Sequence, residues 1–566
     1  MFNPTPQQIA ILSCNDNCVI DAGPGSGKTT TISHKINQVL SEIPWYQGVI
    51  AISYTNKASD QLKGKSKSIC GDLKNSFFGT IDSFCIANII LPFGGRFFGN
   101  PDRKVKVEKF IEDETLLNKI LHDLDRVLNL YKDITIDDID HGKMRPIYDI
   151  KEEYLTFISN KFKEGLFDLR FVGCVAYLIF LSSKACRRFF KARFTHLFID
   201  EFQDSGKEQY FLFLRVAELG IISWAIGDVN QSIFGFTNKS SKYLANLMVN
   251  KSFVLFPMNI NHRCHPSIDL YGKVFLGITV DEEPDEINVF EAVIEGNECD
   301  LGTWFNNRID LIKERFDVKD NSSIVIVARK DIHLELFSQS LTVPFKIHSK
   351  NFLDDDQSIW GSLFKRILDL AFDRRKTIYN FVNEYLNREL SSDGSKIRLI
   401  SQLINHIRKI CDEVLTGSQV DPKDIGDLFK KSALLLFPDS PNDFSVEKVE
   451  YMFKNPSLLE AFYPVETSQI QLMNLHKVKG LEYEIVIHLD LYNYVLPGFN
   501  YFSGGDTEEL DAATHLHYVG ITRAMKALLL LVGSKRYQQN RDRFISADKS
   551  MFLSGDVENY RLAWID

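Results

Sequence analysis

The sequence predicts an α/β fold built on a parallel sheet of the nucleotide-binding type. Three features support this prediction: a glycine-rich turn at residues 22–29 lies between an apolar run and a helical pattern, further apolar runs alternate with helical segments, and several of those runs end in polar side chains. Strands that alternate with helices favour a parallel sheet. Polar side chains at the strand ends then mark the edge where a ligand binds.

The glycine-rich turn has the pattern of a phosphate-binding loop. It follows Cys18–Ile20 and precedes a predicted helix at Thr30–Leu40, with Ala22 where the strict pattern has glycine. The glycines let backbone amides face an anion, Lys28 reaches the terminal phosphates, and the Thr29 hydroxyl can bind Mg²⁺. A turn that only caps a helix is the alternative, and the Gly-Lys-Thr register favours the phosphate loop. The predicted phosphate ligands are Gly23, Gly25, Ser26, Gly27, Lys28 and Thr29.

Composition limits the class of protein. A chain of 566 residues suggests roughly three or four compact units. The net charge of -9 excludes a uniformly basic nucleic-acid binder, so any DNA contact is expected to be local. The apolar run Phe171 to Ser183 is shorter than the ~20 residues of a membrane helix and predicts a buried helix. We expect a cytoplasmic protein with no membrane partner, because no leader pattern opens the sequence. The nine cysteines show no CxxC pair, which predicts no zinc or iron–sulfur site.

The region before the loop predicts a short helix that begins at Pro6 with Thr5 as its N-cap. Gln8, or with less support Gln7, could read the edge of an adenine. A solvated glutamine at the start of a helix remains the alternative. After the loop, a strand is predicted at Gly48–Ser53, and another strand ends near Phe77–Ser83.

Two further strands carry the candidate catalytic residues. Phe194–Ile199 ends in Asp200 and Glu201. Asp200 can hold the Mg²⁺ shell while Glu201 activates the attacking water. Plain turn residues are the alternative, which the phosphate loop upstream disfavours. The strand Ile221–Ile226 leads to Gln231, which can sense the terminal phosphate.

Phe234 and Phe236 follow Gln231 and are spaced two residues apart. They are either core residues or a stacking platform for bases.

Three blocks in the second half complete a family pattern. Asn261-His262-Arg263, the segment Leu472–Tyr483 and the segment His517–Ala524, together with the blocks above, resemble the UvrD/Rep family of superfamily 1 helicases. The resemblance implies two RecA-like lobes of the phosphate-loop NTPase class, each with an inserted helical subdomain. ATP would bind between the lobes and single-stranded DNA would cross their top.

The same resemblance implies the domain boundaries. The first lobe is expected at residues 1–84 and 186–255, with its helical insertion at 85–185. The second lobe is expected at 256–350 and 467–566, with a shortened insertion at 351–466. Helices are predicted within that insertion at Ile359–Phe372 and Gly394–Leu415. After Arg523, only a strand at Ala527–Val532 and a short tail are expected.

The family also assigns further site residues. Arg263 and Arg523 would face the transferring phosphoryl group, Glu482 would contact the ribose, and Thr30 and His262 occupy the positions that sandwich the adenine. The positions that line the family's DNA path are Tyr54, Asn56, Phe234, Phe236 and His476.

The sequence departs from the family at the nucleotide and DNA positions. Thr30 and His262 replace an arginine and a tyrosine, which puts base selectivity in doubt. Phe236 replaces a tryptophan and Thr237 an arginine, which suggests a weaker grip on DNA. None of these changes removes a phosphate or magnesium ligand, so we expect ATPase activity.

The expected function is an ATP-dependent DNA motor, 3′ to 5′ on single-stranded DNA, with ATP as substrate and Mg²⁺ as cofactor. Within the family, the segments Gly79–Phe93 and Leu489–Asn493 most resemble the helicase-like subunit of the Gabija anti-phage defence system. That resemblance implies a partner nuclease with an ATPase-like domain. Two alternatives stay open: a DNA-end or nucleotide sensor that regulates a nuclease without processive unwinding, and an RNA-directed motor.

Overall fold

A computed structural model describes most of the chain. The described residues are 2–54, 56–231, 241–280, 284–348, 351–356, 358–385, 394–418, 420–438 and 441–566.

The first half contains helices and strands in alternation. Its helices are α1 (Pro6–Ser13), α2 (Lys28–Glu42), α3 (Asn56–Cys70), α4 (Ile81–Cys85), α5 (Leu91–Phe93), α6 (Gly95–Phe98), α7 (Glu114–Leu130), α8 (Ile136–His141), α9 (Glu152–Lys163), α10 (Val172–Ser182), α11 (Lys184–Arg193), α12 (Lys207–Glu218) and α13 (Lys242–Met248). Its strands are β1 (Cys18–Ala22), β2 (Gly48–Ile52), β3 (Phe77–Gly79), β4 (Lys106–Glu108), β5 (Leu166–Asp168), β6 (Phe194–Ile199), β7 (Ile222–Gly227) and β8 (Val254–Met258).

The second half repeats the alternation. Its helices are α14 (Pro266–Phe275), α15 (Glu298–Asn306), α16 (Ile309–Arg315), α17 (Asp331–Ser338), α18 (Ile359–Phe372), α19 (Ile378–Tyr385), α20 (Gly394–Leu415), α21 (Pro422–Leu436), α22 (Asp443–Lys454), α23 (Phe499–Gly504) and α24 (Thr507–Ile521). Its strands are β9 (Val289–Ile294), β10 (Ile324–Ala328), β11 (Phe345–Ile347), β12 (Ile470–Asn474), β13 (Tyr483–His488), β14 (Ala524–Gly533), β15 (Lys535–Gln538), β16 (Arg543–Ser546) and β17 (Leu562–Ala563).

Two parallel sheets organise these elements, which confirms the predicted α/β class. The first sheet has six strands in the order β3-β2-β6-β7-β1-β8. The second has seven strands in the order β11-β12-β10-β13-β14-β9-β17. In the first sheet β2, β6, β7 and β1 are successive neighbours, so the residues that follow them meet at one edge.

Each sheet is covered on both faces by apolar cores. One core of the first sheet contains α2 residues such as Ile36, and the other joins sheet residues such as Ile50 to the helices of residues 85–193. The second sheet likewise has a core on each face. We call the first sheet, with the residues that share its cores, the first lobe. The second sheet, with the residues that share its cores, is the second lobe.

The two helical insertions differ in how they pack. Residues 85–193 share one continuous core with the first sheet, through side chains such as Leu124 and Phe180. Among the described residues, those between 353 and 462 form a separate core around Trp360, Ile404 and Phe429, which includes no strand residue of either sheet.

Some boundaries differ from those expected. β8 pairs with β1 as far as Met258, so the first sheet extends beyond residue 255. The expectation of one strand and a tail after Arg523 is wrong, because β15 and β16 form an antiparallel pair and β17 adds an edge strand beside β9. The predicted buried helix is α10, whose residues line the first-lobe core.

No single helix among the described residues is long and apolar enough to cross a membrane. The bent pair Leu169–Ser182 and Lys184–Arg193 would be long and apolar enough when taken together, by length and composition alone.

Candidate functional site

The glycine-rich loop connects β1 to α2 with its helix start open to a ligand. Gly27, the N-cap of α2, takes a left-handed conformation (φ 85°) and has no side chain that could cap the first N–H groups of the helix. These groups lack intrahelical partners and attract anions. Gly25 also has a positive φ of 67°, and a Cβ there would lie 2.2 Å from Asn261 Oδ1. The loop therefore needs glycine at both positions, one for its turn and one for the close approach of the chain after β8.

Lys28 lies between this loop and the carboxylates that follow β6. Its Nζ donates to the carbonyl of Ala22 at 3.2 Å and lies 3.9 Å from Glu201 Oε1. The lysine is thus held by weak contacts at the position where a phosphate group would compete for it.

Asp200 and Glu201 lie at the carboxyl end of β6. The backbone N–H of Asp200 donates to Ile52 at 2.9 Å, and its Oδ1 accepts from the backbone N–H of Glu201 at 3.0 Å. Glu201 has a φ of 57°, a conformation that costs a residue other than glycine about 1–3 kcal/mol. Gln203 Nε2 donates to Glu201 Oε2 at 2.6 Å. The turn therefore holds Glu201 in a strained, oriented conformation.

The two neighbouring carboxyl groups differ in their electrostatic surroundings. Burial and the Glu201 charge raise the pKa of Asp200. Burial also opposes the ionisation of Glu201, but the charges of Lys28 and Lys479 and the bond from Gln203 lower its pKa overall. Glu201 thus stays ionised, as a general base requires.

Two further carboxyl groups surround this pair. Burial and Asp228 raise the pKa of Asp21 to about 6, and burial raises the pKa of Asp228. Asp200 and Asp228 are buried and Asp21 is half-buried, and together they form an acidic group beside the phosphate loop. Magnesium fits this donor set, since it takes one or two protein carboxylates and otherwise phosphate and water oxygens. Asp200 and Thr29 are the residues we expect to hold it.

The second lobe brings Arg523 to the same place. Arg523 is 2% exposed, and its Nη2 donates to Gln231 Oε1 at 3.0 Å. Gln231 Nε2 donates in turn to Asp228 Oδ2 at 2.7 Å. Burial and the charge of Arg263 lower the pKa of Arg523 to about 10. Gln231 therefore bridges an acid of the first lobe and an arginine of the second.

Arg263 and Glu482, predicted to face phosphate and ribose, bind each other here. Arg263 Nε donates to Glu482 Oε2 at 2.9 Å, and its Nη1 donates to the carbonyl of Thr522 at 3.3 Å. The contact lies at the surface, since the Glu482 side chain is 57% exposed. The roles implied by the family resemblance remain predictions.

The predicted base-binding residues surround the loop in different ways. Gln8 Nε2 donates to the carbonyl of Ser26 at 3.1 Å, and its Oε1 accepts from the Thr5 N–H at 3.0 Å. The solvated alternative for Gln8 is therefore wrong, because the residue is buried against the loop. The backbone N–H of His262 donates to Gly25 at 3.0 Å, while its side chain is exposed. Thr30 Oγ1 accepts from Lys65 at 2.6 Å.

The predicted DNA contacts are less completely described. Tyr54 follows β2 and lines a small crevice with Asp200 and Glu201. His476 is exposed in the turn after β12. The side chain of Asn56 lies outside the described part of the chain, as do Phe234 and Phe236 altogether. The geometry thus relates Tyr54 to the carboxylates and leaves His476 on the other sheet.

Sequence reasoning missed several polar residues of the site: Asp21, Gln203, Asp204, Asp228 and Lys479. Gln203 Oε1 accepts from the Asp228 N–H at 3.2 Å, and Lys479 Nζ donates to Asp204 Oδ2 at 2.7 Å. Most of these residues stand inside or beside the motifs quoted above. For the residues that follow β6 and β7, the position after a strand was the available signal; for Lys479, in the turn between β12 and β13, the sequence contains no such signal.

Comparisons with known proteins agree with the two-lobed arrangement. Residues 3–248 match the UvrD/REP helicase N-terminal domain, and residues 356–535 match the UvrD-like helicase C-terminal domain. Gabija protein GajB of Bacillus cereus is 24% identical over 540 residues, covering 93% of this chain and 95% of GajB. A probable DNA helicase II homolog of Mycoplasma genitalium is 24% identical over 600 residues, covering 93% and 84%. The ATP-dependent DNA helicase Rep of Buchnera aphidicola is 20% identical over 649 residues, covering 96% and 95%.

Proposed function

The chain belongs to the UvrD/Rep helicase family, and from this premise we propose that it is an ATP-driven motor that moves 3′ to 5′ on single-stranded DNA. The observation that carries the proposal is the polar contact between the lobes at Gln231. An acid of the first lobe and an arginine of the second bind the nitrogen and the oxygen of this one side-chain amide. A nucleotide bound there would touch both lobes at once.

The residues of the first lobe would bind the nucleotide and activate the attacking water. The open N–H groups at the start of α2 accept phosphate oxygens, and Lys28 leaves Ala22 to bind the terminal phosphates. Glu201, ionised and held by Gln203, removes a proton from the attacking water. Asp200 and Thr29 would hold magnesium, which when bound would supply positive charge that lowers the repulsion among the phosphate oxygens.

The residues of the second lobe would supply further positive charge to the transferred phosphoryl group. Arg523 lies beside Gln231 and would stabilise negative charge on the transferred phosphoryl group, with Arg263 as its neighbour. An arginine supplied in this way is worth about 10³ to 10⁵ in rate in related enzymes. Since Arg523 belongs to the second lobe, hydrolysis would depend on the closure of the two lobes. A motor can use that dependence to couple hydrolysis to movement.

The nucleic acid would cross the strand ends of both lobes. Tyr54 on the first lobe and His476 on the second are the described candidates, with Asn56, Phe234 and Phe236 proposed from the family pattern. Base stacking of about 1–3 kcal/mol per base would give a sequence-tolerant grip.

A partner nuclease is part of the proposal. Its support is the similarity to GajB, which extends along nearly the whole of both chains. We propose that the chain provides DNA-dependent ATP hydrolysis to an anti-phage complex with a nuclease that carries an ATPase-like domain.

A strand-displacement assay tests the proposed activity. Two duplexes of the same sequence, one with a 3′ single-stranded tail and one with a 5′ tail, are incubated with the purified chain and ATP, with Glu201→Gln protein as the blank. We expect displacement of the 3′-tailed duplex only. Displacement from the 5′ tail would overturn the direction, and ATP hydrolysis without displacement of either duplex would favour the sensor that regulates a nuclease.

A further inference from the structure

Lys479 of the second lobe inserts into the first lobe. It lies between β12 and β13, and its Nζ donates to Asp204 Oδ2 at 2.7 Å and to the carbonyl of Gln231 at 2.8 Å. The Lys479 side chain is 12% exposed and that of Asp204 is 0% exposed. The contact is therefore an ion pair between the lobes in which the carboxylate is buried and the lysine is largely shielded from solvent.

Both acceptors of Lys479 belong to the proposed hydrolytic machinery. The Asp204 N–H donates to the carbonyl of Glu201 at 3.0 Å and closes the turn that orients Glu201. Gln231 offers its carbonyl to Lys479 and its Oε1 to Arg523. One lysine thus holds the turn after β6 and the turn after β7 at the same time.

The neighbouring lysine shows that this placement is specific. Lys477 is exposed, and its Nζ donates to the carbonyl of His348 in its own lobe at 2.7 Å. Val478, between the two lysines, is buried in the second-lobe core. The buried valine fixes the turn, and the turn directs Lys479 across the cleft.

We infer that Lys479 is a positioning residue that registers lobe closure and sets the geometry of Glu201 and Gln231. When the lobes close, its ammonium group pairs with Asp204 and fixes both turns. When they separate, the pair breaks, the two turns relax and hydrolysis slows. This inference rests on the proposed ATPase function, and it adds a residue that makes hydrolysis depend on closure.

The test compares Lys479→Met with Lys526→Met. Lys526 is a surface lysine of the same lobe that pairs with Glu484 at 3.1 Å, so it controls for the loss of one charge. With saturating single-stranded DNA, we expect Lys479→Met to lower kcat about tenfold to a hundredfold, as misplaced catalytic groups do. KM for ATP and the affinity for DNA, measured by fluorescence anisotropy, should stay close to those of the unsubstituted chain, and Lys526→Met should match it throughout. An unchanged kcat would overturn the inference, as would an equal loss in both variants.

Two further measurements separate positioning from a merely structural role. Hydrogen exchange of the amides at residues 202–205 and 229–231 should be about tenfold faster in Lys479→Met, with the rest of the second lobe unchanged. The double variant Lys479→Met with Asp204→Asn should lose no more activity than either single variant, because both remove one interaction. Unchanged exchange, or additive losses, would contradict the inference. If the unsubstituted chain hydrolyses no ATP, the proposed function fails, and the exchange measurement still decides the role of Lys479.

Discussion

The two sides of the cleft carry opposite charges and come from different kinds of structure. The first-lobe side consists mainly of carboxyl and amide groups at the ends of β6 and β7, such as Asp200, Glu201 and Asp228, with the cation Lys28 beside them. The second-lobe side consists of the cations Lys479 and Arg523, which lie in turns before β13 and β14. An acidic site of this kind can hold a metal and a base, but it repels the charge that develops on phosphate. The comparison shows that the acidic groups and the cations that contact them across the cleft belong to different lobes, so the proposed hydrolysis would need both lobes.

The largest expected effect comes from the second-lobe side. Arg523→Gln should lower kcat for ATP by about 10³ to 10⁵, the contribution of an arginine that stabilises the transferred phosphoryl group. Nucleotide binding, measured with a fluorescent ATP analogue, should change little because the phosphate loop is intact. Thermal unfolding provides the control for this buried residue. Turnover within tenfold of the unsubstituted chain would show that the first lobe hydrolyses ATP without Arg523.

The second largest effect is expected from a substitution on the first-lobe side, at Glu201. Glu201→Gln keeps the size of the side chain and removes the base, so kcat should fall by about 10² to 10⁴. Glu508→Gln on the exposed first turn of α24 is the matched control. Retained turnover in Glu201→Gln would assign the base to another residue.

The strand ends could be predicted because they depend on local sequence. Apolar runs such as Phe194–Ile199 identify buried strands without tertiary information, so Asp200, Glu201 and Gln231 follow from their spacing. The fold class and family were also predictable, because complete motifs carry them.

The contacts between lobes could not be predicted in the same way. Lys479 and Asp204 are 275 positions apart, and a lysine inside a motif does not indicate which side chain it meets. The edge strand β17 was missed because a strand of two residues has no periodicity; the contact of Arg561 Nε with Glu291 Oε2 at 2.8 Å fixes it beside β9.

A smaller effect is expected where the two sides approach at the phosphate loop. Gly25→Ala places a Cβ 2.7 Å from Arg263 Cβ in a left-handed conformation, so the loop or the chain after β8 must shift. We expect kcat/KM for ATP to fall about tenfold to a hundredfold, since small displacements of binding groups have effects of that size. Gly64→Ala, on an exposed part of α3 with nothing near its added Cβ, is the control. Equal kinetics in the two variants would mean that the loop tolerates the shift.

The smallest effect should come from the surface contact between Arg263 and Glu482 within the second-lobe side. Glu482→Gln removes the charge that pairs with Arg263, and an exposed ion pair contributes only about 0–1 kcal/mol. If Glu482 also contacts the ribose, KM for ATP should rise severalfold, which corresponds to a loss of about 1 kcal/mol of binding free energy at most. The value of kcat should stay within twofold of that of the unsubstituted chain. Steady-state kinetics with ATP and 2′-deoxy-ATP separate the two contributions. An identical KM ratio for the two nucleotides in the variant and the unsubstituted chain would exclude the ribose contact.

The division of the site between two lobes is tested most directly by steady-state ATP hydrolysis with and without single-stranded DNA, with Glu201→Gln as the blank. If the two lobes bring their site residues together only when DNA contacts both, the unsubstituted chain should hydrolyse ATP slowly without DNA and much faster with it. The Glu201→Gln variant should show no hydrolysis in either condition. Equal hydrolysis with and without DNA would contradict this account, because the two sides of the cleft would then be assembled without the nucleic acid.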